Sequence, residues 1–163
     1  MRALTLWQPY ASGVALYGKF VENRTWLPPE NLLGERFAIH AGAARKDAWK
    51  LPPGVEIPEP LPRSAVVATA IVVGALDLRD GRREIRMAGD RGILDLFSDS
   101  DPNEALRARL LTLDSDPWWL GPVGWLLEDV RPLSIPVPAK GMMGLWTLSD
   151  SEEKQVLQGV KSS

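Results

Sequence analysis

The 163-residue chain is 45% hydrophobic, has no cysteine and one histidine, and carries a formal net charge of −2. This is enough apolar sequence for one globular domain with its own core, and it excludes disulfide and thiolate chemistry. No apolar run reaches membrane-spanning length and no basic-then-apolar leader opens the chain, so a soluble, cytoplasmic protein is expected, and the mild charge argues against coating long nucleic acid.

Met1 to Leu6 reads as a short strand. Trp7-Gln8-Pro9 turns into a helix from Pro9 to Tyr17, with the proline early, where its missing N–H does little harm, and Gly18 at the C-cap. Strands are predicted at Val21–Trp26 and Arg36–Ala41 around a Pro-Pro-Glu-Asn loop, then a short helix at Ala43–Lys50. Five prolines (Pro52, Pro53, Pro58, Pro60 and Pro62) make residues 51–62 an extended surface loop. The apolar, β-branched run from Ser64 to Leu78 is the strongest strand signal and predicts a central strand, with Asp80-Gly81 marking a hairpin or loop turn. Ser98 to Pro102 is a capping cluster before a helix near Asn103–Leu113, in which Leu106, Leu110 and Leu113 share a face. Val123–Leu133 and Gly144–Leu148 read as strands, and Asp150 as the cap of a short helix that frays after Gln158. About six strands with three or four short helices predict an α+β domain on a curled, mixed sheet over residues 1–149, with a short helix and tail at 150–163.

Charge is uneven along this frame: residues 1–50 carry +3 and the remainder −5. A compact positive site on an acidic body suits one or a few nucleotides better than a duplex. The arginines between 79 and 91 alternate with Asp80, Glu84 and Asp90 and read as a solvated mixed-charge face. The densest chemistry is Gly18-Lys19-Phe20-Val21-Glu22-Asn23-Arg24-Thr25-Trp26. On a strand, Glu22 and Arg24 point to one face, since side chains repeat every two residues. A carboxylate acceptor beside a planar multi-donor suits a nucleobase edge or a phosphate, against the plainer reading of a local ion pair.

Gly13 to Lys19 has the spacing of a phosphate-binding loop. Phe20 stands where a magnesium-binding hydroxyl is needed, however, and the helix precedes the strand, so that reading is rejected. His40, in a strand-like run, reads as a neutral imidazole satisfied by backbone. Trp125 and Trp146 sit in apolar strands and read as core; Trp7 and Trp26 flank the charged segment and suit either core or the wall of a ligand site. No metal or cofactor is expected.

Leu4 to Ala11, the Gly18-Lys19-x-x-Glu22-x-Arg24-x-Trp26 pattern, and His40-Ala41 together resemble ASCH domains, a branch of the PUA-like fold. So do Gly121 to Trp125, and Pro136 to Gly141 leading into Leu145 to Leu148. The likeness spans residues 2–148, with 79–120 unplaced. It implies a small β-barrel with helices at its openings and a cleft in which the Lys19–Arg24 strand faces nucleic acid, most often RNA. Some relatives remove an acyl group from modified cytidine with a lysine, a threonine three residues later and a distant glutamate. Lys19 matches the lysine, but Glu22 occupies the threonine position. Others are described as ribonucleases.

Two candidate functions arise from these residues. The first is a reader of RNA or single-stranded DNA, including modified nucleosides, in which Lys19 and Arg24 contact phosphate or base and Glu22 accepts from an exocyclic amine. Trp7 or Trp26 would stack, and Gln8, Pro9, His40, Lys140 and Gly141 would line the cleft. The second is a hydrolase acting on acylated cytidine or an RNA phosphodiester, with Lys19 as base or clamp and Glu22 and Asp77 as the carboxylates.

Overall fold

The computed structural model describes residues 1–45, 51, 54–57, 59–79, 84–87, 93–94, 108 and 110–160. In chain order its elements are β1 (Arg2–Gln8), α1 (Tyr10–Leu16), β2 (Val21–Arg24), β3 (Arg36–Arg45), β4 (Ala65–Asp77), β5 (Glu84–Met87), β6 (Ile93–Leu94), β7 (Val123–Pro138), β8 (Leu145–Thr147) and α2 (Asp150–Gly159). Two 3₁₀ turns lie at Glu30–Leu32 and Leu113–Ser115. The residues group into two compact units: Met1–Phe20, Arg36–Ile71 and Glu128–Ser163 in the first, Val21–Glu35 and Val72–Leu127 in the second.

In the first unit β1 lies parallel to β3, with Thr5 opposite His40, and antiparallel to β8. The first half of β4 pairs antiparallel with β3. Alternation along β1 buries Leu4, Leu6 and Gln8 on one face and leaves Thr5 and Trp7 on the other, the period of two that a half-covered strand requires. Ala3 and Ala38 pack with Val66, Val137, Trp146, Leu148 and Val156, so β1, β3, β4, β7, β8 and α2 share one apolar cluster. Helix α1 is nearly all small residues, and Ala11 to Ala15 are all buried, as expected of a helix sunk into a core rather than lying on one. Gly18, at φ +69°, reverses the chain after it, and the Gly13 carbonyl accepts from both Tyr17 and Lys19 backbone N–H groups.

In the second unit β2 pairs antiparallel with the start of β7, with Glu22 opposite Trp125. The end of β4 pairs antiparallel with β5, and β5 with β6. Asn23 fastens the loop before β7: its amide donates to the Trp118 carbonyl at 2.7 Å, and its oxygen accepts from the Leu120 N–H at 2.8 Å.

The strands are hydrogen-bonded in the order β2-β7-β4-β3-β1-β8, with β5 and β6 attached to β4 off that path. The mixed sheet and α+β class agree with the sequence, but the barrel does not. Closure needs a continuous ladder between the end strands. Among the described residues the order is open, and its end strands are only four and three residues long.

Local differences have local causes. Strand β3 does not give way to the helix expected at 43–50. It runs on to Arg45, which pairs with Gln8 across a register shift, and residues 46–50 lie outside the described residues. The capping cluster at Ser98–Pro102 and the turn at Asp80-Gly81 also lie outside them, although β4 and β5 pair as a hairpin does. Residues 108, 110 and 111 are helical, at the end of the helix expected at 103–113. The C-terminal helix is capped by Ser149, not Asp150. Ser149 and Glu152 satisfy each other's backbone N–H in a capping box, which outranks a lone aspartate. Nor does its end fray, since Val160 bridges back to Leu133. Against the three or four helices expected, two α-helices have their bounds among the described residues, beside the helical residues 108, 110 and 111 and two 3₁₀ turns.

Candidate functional site

In the first unit the site is built on the β1–β3 pair. Thr5 and His40 are register partners on one face, and Trp7 and Gly42 come two residues further on. A β-carbon at residue 42 would lie 3.3 Å from Thr5 Cγ2 and 3.6 Å from Trp7 Cδ1, so the indole lies over bare backbone. Trp7 stays 44% exposed.

Segment 139–142 crosses the same face. The His40 Nε2–H donates to the Ala139 carbonyl at 3.0 Å, so in the neutral ring Nδ1 is the lone-pair nitrogen. Thr5 Oγ1–H donates to the Met142 carbonyl at 2.9 Å and accepts from Trp146 Nε1–H at 3.1 Å. The Trp146 ring meets His40 edge-on at 5.5 Å. Gly141 closes the arrangement, because a β-carbon there would stand 2.3 Å from His40 Cε1 and 2.7 Å from Nδ1. His40 is 1% exposed. Burial pulls its pKa below the ordinary 6.5, while the hydrogen bond to Ala139 and the Glu152 carboxylate act in the opposite direction. Lys140, Met142 and Met143 stand outward on the segment that these bonds hold.

The other first-unit candidates are interior. Gln8 is fully buried, its amide donating to the Pro62 carbonyl at 2.7 Å and its oxygen accepting from Ser12 N–H at 3.1 Å. It joins the proline loop to α1 and lines no open surface. Pro9 is half-buried at the N-cap of α1. Lys19 is 1% exposed, its ammonium 5.9 Å from the Tyr10 ring centroid.

In the second unit Glu22 and Arg24 do point to one face of β2, and they form an ion pair at 3.2 Å. Trp26 lies just beyond, half-buried, with its ring edge-on to Trp125 at 4.7 Å and its carbonyl accepting from Trp125 Nε1–H. Asp77 takes Arg79 through two short side-chain bonds at 2.9 and 2.6 Å. Of the ten proposed binding residues, the structure brings Trp7, His40, Lys140 and Gly141 together around Thr5 in one unit, and Glu22, Arg24 and Trp26 along one strand end in the other. Thr5, Trp146 and Met142 join this cluster without being expected there from the sequence. The period-two placement of Thr5 between Ala3 and Trp7 was the available signal.

Among the described residues no group of three or more histidines, aspartates or glutamates is placed to hold a metal ion, and no helix is long and apolar enough to cross a membrane.

No family model and no curated protein matches the chain. Among solved structures it is similar to an ASCH protein of Zymomonas mobilis at 18% identity and a TM-score of 0.48, covering 98% of this chain and 95% of that one. Two point variants of that protein match at 18% identity with TM-scores of 0.48 and 0.47. A likeness of this degree leaves function to be argued from the residues themselves.

Proposed function

We propose that the chain is a nucleic-acid-binding domain of the ASCH kind, taking a single-stranded or flipped-out nucleotide of RNA or single-stranded DNA with Trp7 as its stacking surface. The observation that carries this reading is Trp7 itself. A large indole left 44% exposed on a core strand, with its Cδ1 edge beside Gly42, is a ready face for a base. Lys140, exposed on the adjoining segment, supplies one phosphate-seeking charge. The motif resemblance supports the same ligand class. Buried Lys19 and Gln8 act from within the fold, so the contacts pass from them to exposed Trp7 and Lys140. In the second unit, Arg24 with its Glu22 partner is a separate candidate for a phosphate or a base edge. The hydrolase reading is the weaker one, because Glu22 and Asp77 each already serve an arginine.

The test is fluorescence anisotropy with a short labelled single-stranded RNA and its DNA counterpart, at several salt concentrations. Trp7→Ala removes a stacking contact of about 1–3 kcal/mol, a loss of roughly 5- to 150-fold in affinity. Lys140→Ala and Arg24→Ala lower affinity and flatten the salt dependence, each by about one charge. Wild-type affinity in all three folded variants would refute the proposal.

A further inference from the structure

His40 is the titratable group buried beneath the exposed interface, and its surroundings tolerate only one protonation state. Nε2–H is spent on the Ala139 carbonyl. Nδ1 is buried without a hydrogen-bond partner and faces the α-carbon of Gly141. Among the described residues, the neighbouring elements offer it no acceptor. Thr5 on β1 donates its hydroxyl to Met142 and turns its oxygen to Trp146 Nε1–H, Val66 on β4 is apolar, and Trp146 on β8 presents a ring edge. The charge that acts on it is Glu152 on α2, whose carboxylate is held by Ser149 N–H and Oγ. A proton on Nδ1 would therefore create a buried N–H with nothing to receive it, a costly state unless the covering segment moves and admits water. The 2.9 Å Thr5–Met142 bond, itself solvent-exposed, ties the far end of that segment to β1, and the Ala139 N–H holds its near end to the Ser64 carbonyl at 3.0 Å.

We propose that His40 is a positioning residue, a latch whose neutral imidazole seats segment 139–142 beside Trp7, and that protonating it unseats the segment and weakens nucleotide binding. This rests on the nucleic-acid reading for its second half only. The latch places Lys140 and Met142; His40 itself touches no ligand.

Because His40 is the only histidine in the chain, its titration can be followed without ambiguity by proton–carbon NMR of Cε1–H in the intact protein. The backbone amides of residues 139–142 are expected to shift with the same midpoint, below 6.5, while those of α1 and the core of β1 stay still. At constant ionic strength, affinity for the labelled single-stranded RNA falls by up to about tenfold per pH unit below that midpoint, the slope of one linked proton. His40→Gln keeps a neutral donor to Ala139 and should bind with no such fall. Amides of 139–142 that ignore the His40 midpoint would overturn the latch. So would loss of the whole fold at that pH by circular dichroism. An oligonucleotide that binds at no pH, with the amides still following His40, overturns the binding reading and leaves the latch standing.

Discussion

Gly141→Ala is the sharpest test of how the interface is held. The added methyl would stand 2.3 Å from His40 Cε1, 2.7 Å from Nδ1 and 3.0 Å from Thr5 Oγ1, where ordinary contact begins near 3.4 Å. At least one partner must therefore retreat by about an ångström. His40 has little freedom to do so: it is 1% exposed, bonded to Ala139 and flanked by Trp146 at 5.5 Å. Thr5 is bonded on both sides. Overpacking of this kind costs about 1–3 kcal/mol, and a central value of about 2 corresponds to a fall in Tm of roughly 4–8 °C for a chain of this size. With a urea m-value of about 2 kcal/mol/M, the midpoint should drop by about 1 M at unchanged slope. The assay is urea unfolding followed by tryptophan fluorescence, with the His40 Cε1–H signal recorded on the folded variant. Lys140→Ala, at the exposed neighbouring position, serves as the control, within about 0.5 kcal/mol of wild type. A Gly141→Ala midpoint within about 0.2 M of wild type and an unmoved His40 signal would refute the packing argument.

Three further outcomes are expected. Gln8→Ala strands the Pro62 carbonyl and the Ser12 N–H, both satisfied by the buried amide, and should lower stability by about 1–3 kcal/mol in the same urea assay while base stacking at Trp7 is tested separately. Ser149→Ala removes the capping box of α2 and costs about 1 kcal/mol, visible first as faster hydrogen exchange at the start of that helix. Stability should also fall as the pH drops below 6.5: His40 is held neutral by burial, so the unfolded chain takes up the proton first, and the loss continues down to the lower folded pKa and then levels off. His40→Gln should abolish that part of the pH profile, measured by thermal melts from pH 8 to pH 5.

What was legible in the sequence, and what was not, divides along the range of the forces involved. Period-two alternation and β-branched runs located β1, β2, β4 and β7, because strand sidedness is written every second residue. The same rule placed Glu22 and Arg24 on one face, where they now form an ion pair. It also read His40 correctly as neutral and backbone-bound, since a lone histidine in an apolar strand must find a partner nearby. What escaped was burial set by distant segments. Lys19 looks like a surface charge until α1 and Tyr10 are known, and Gln8 looks like a lining residue until Pro62, 54 positions away, is found accepting its amide. The closed barrel was an expectation from the family resemblance, since local patterning says that a residue is in a strand but not which strand it meets, and the end strands here are too short to write a register. The proposed interface lies where the two kinds of information cross. Trp7 is positioned by alternation within β1, whereas the segment beside it is positioned by His40 and Thr5 reaching 99 and 137 residues along the chain. If the proposed binding surface is assembled in that way, a single proton on His40 is expected to loosen it without disturbing the strand that carries Trp7.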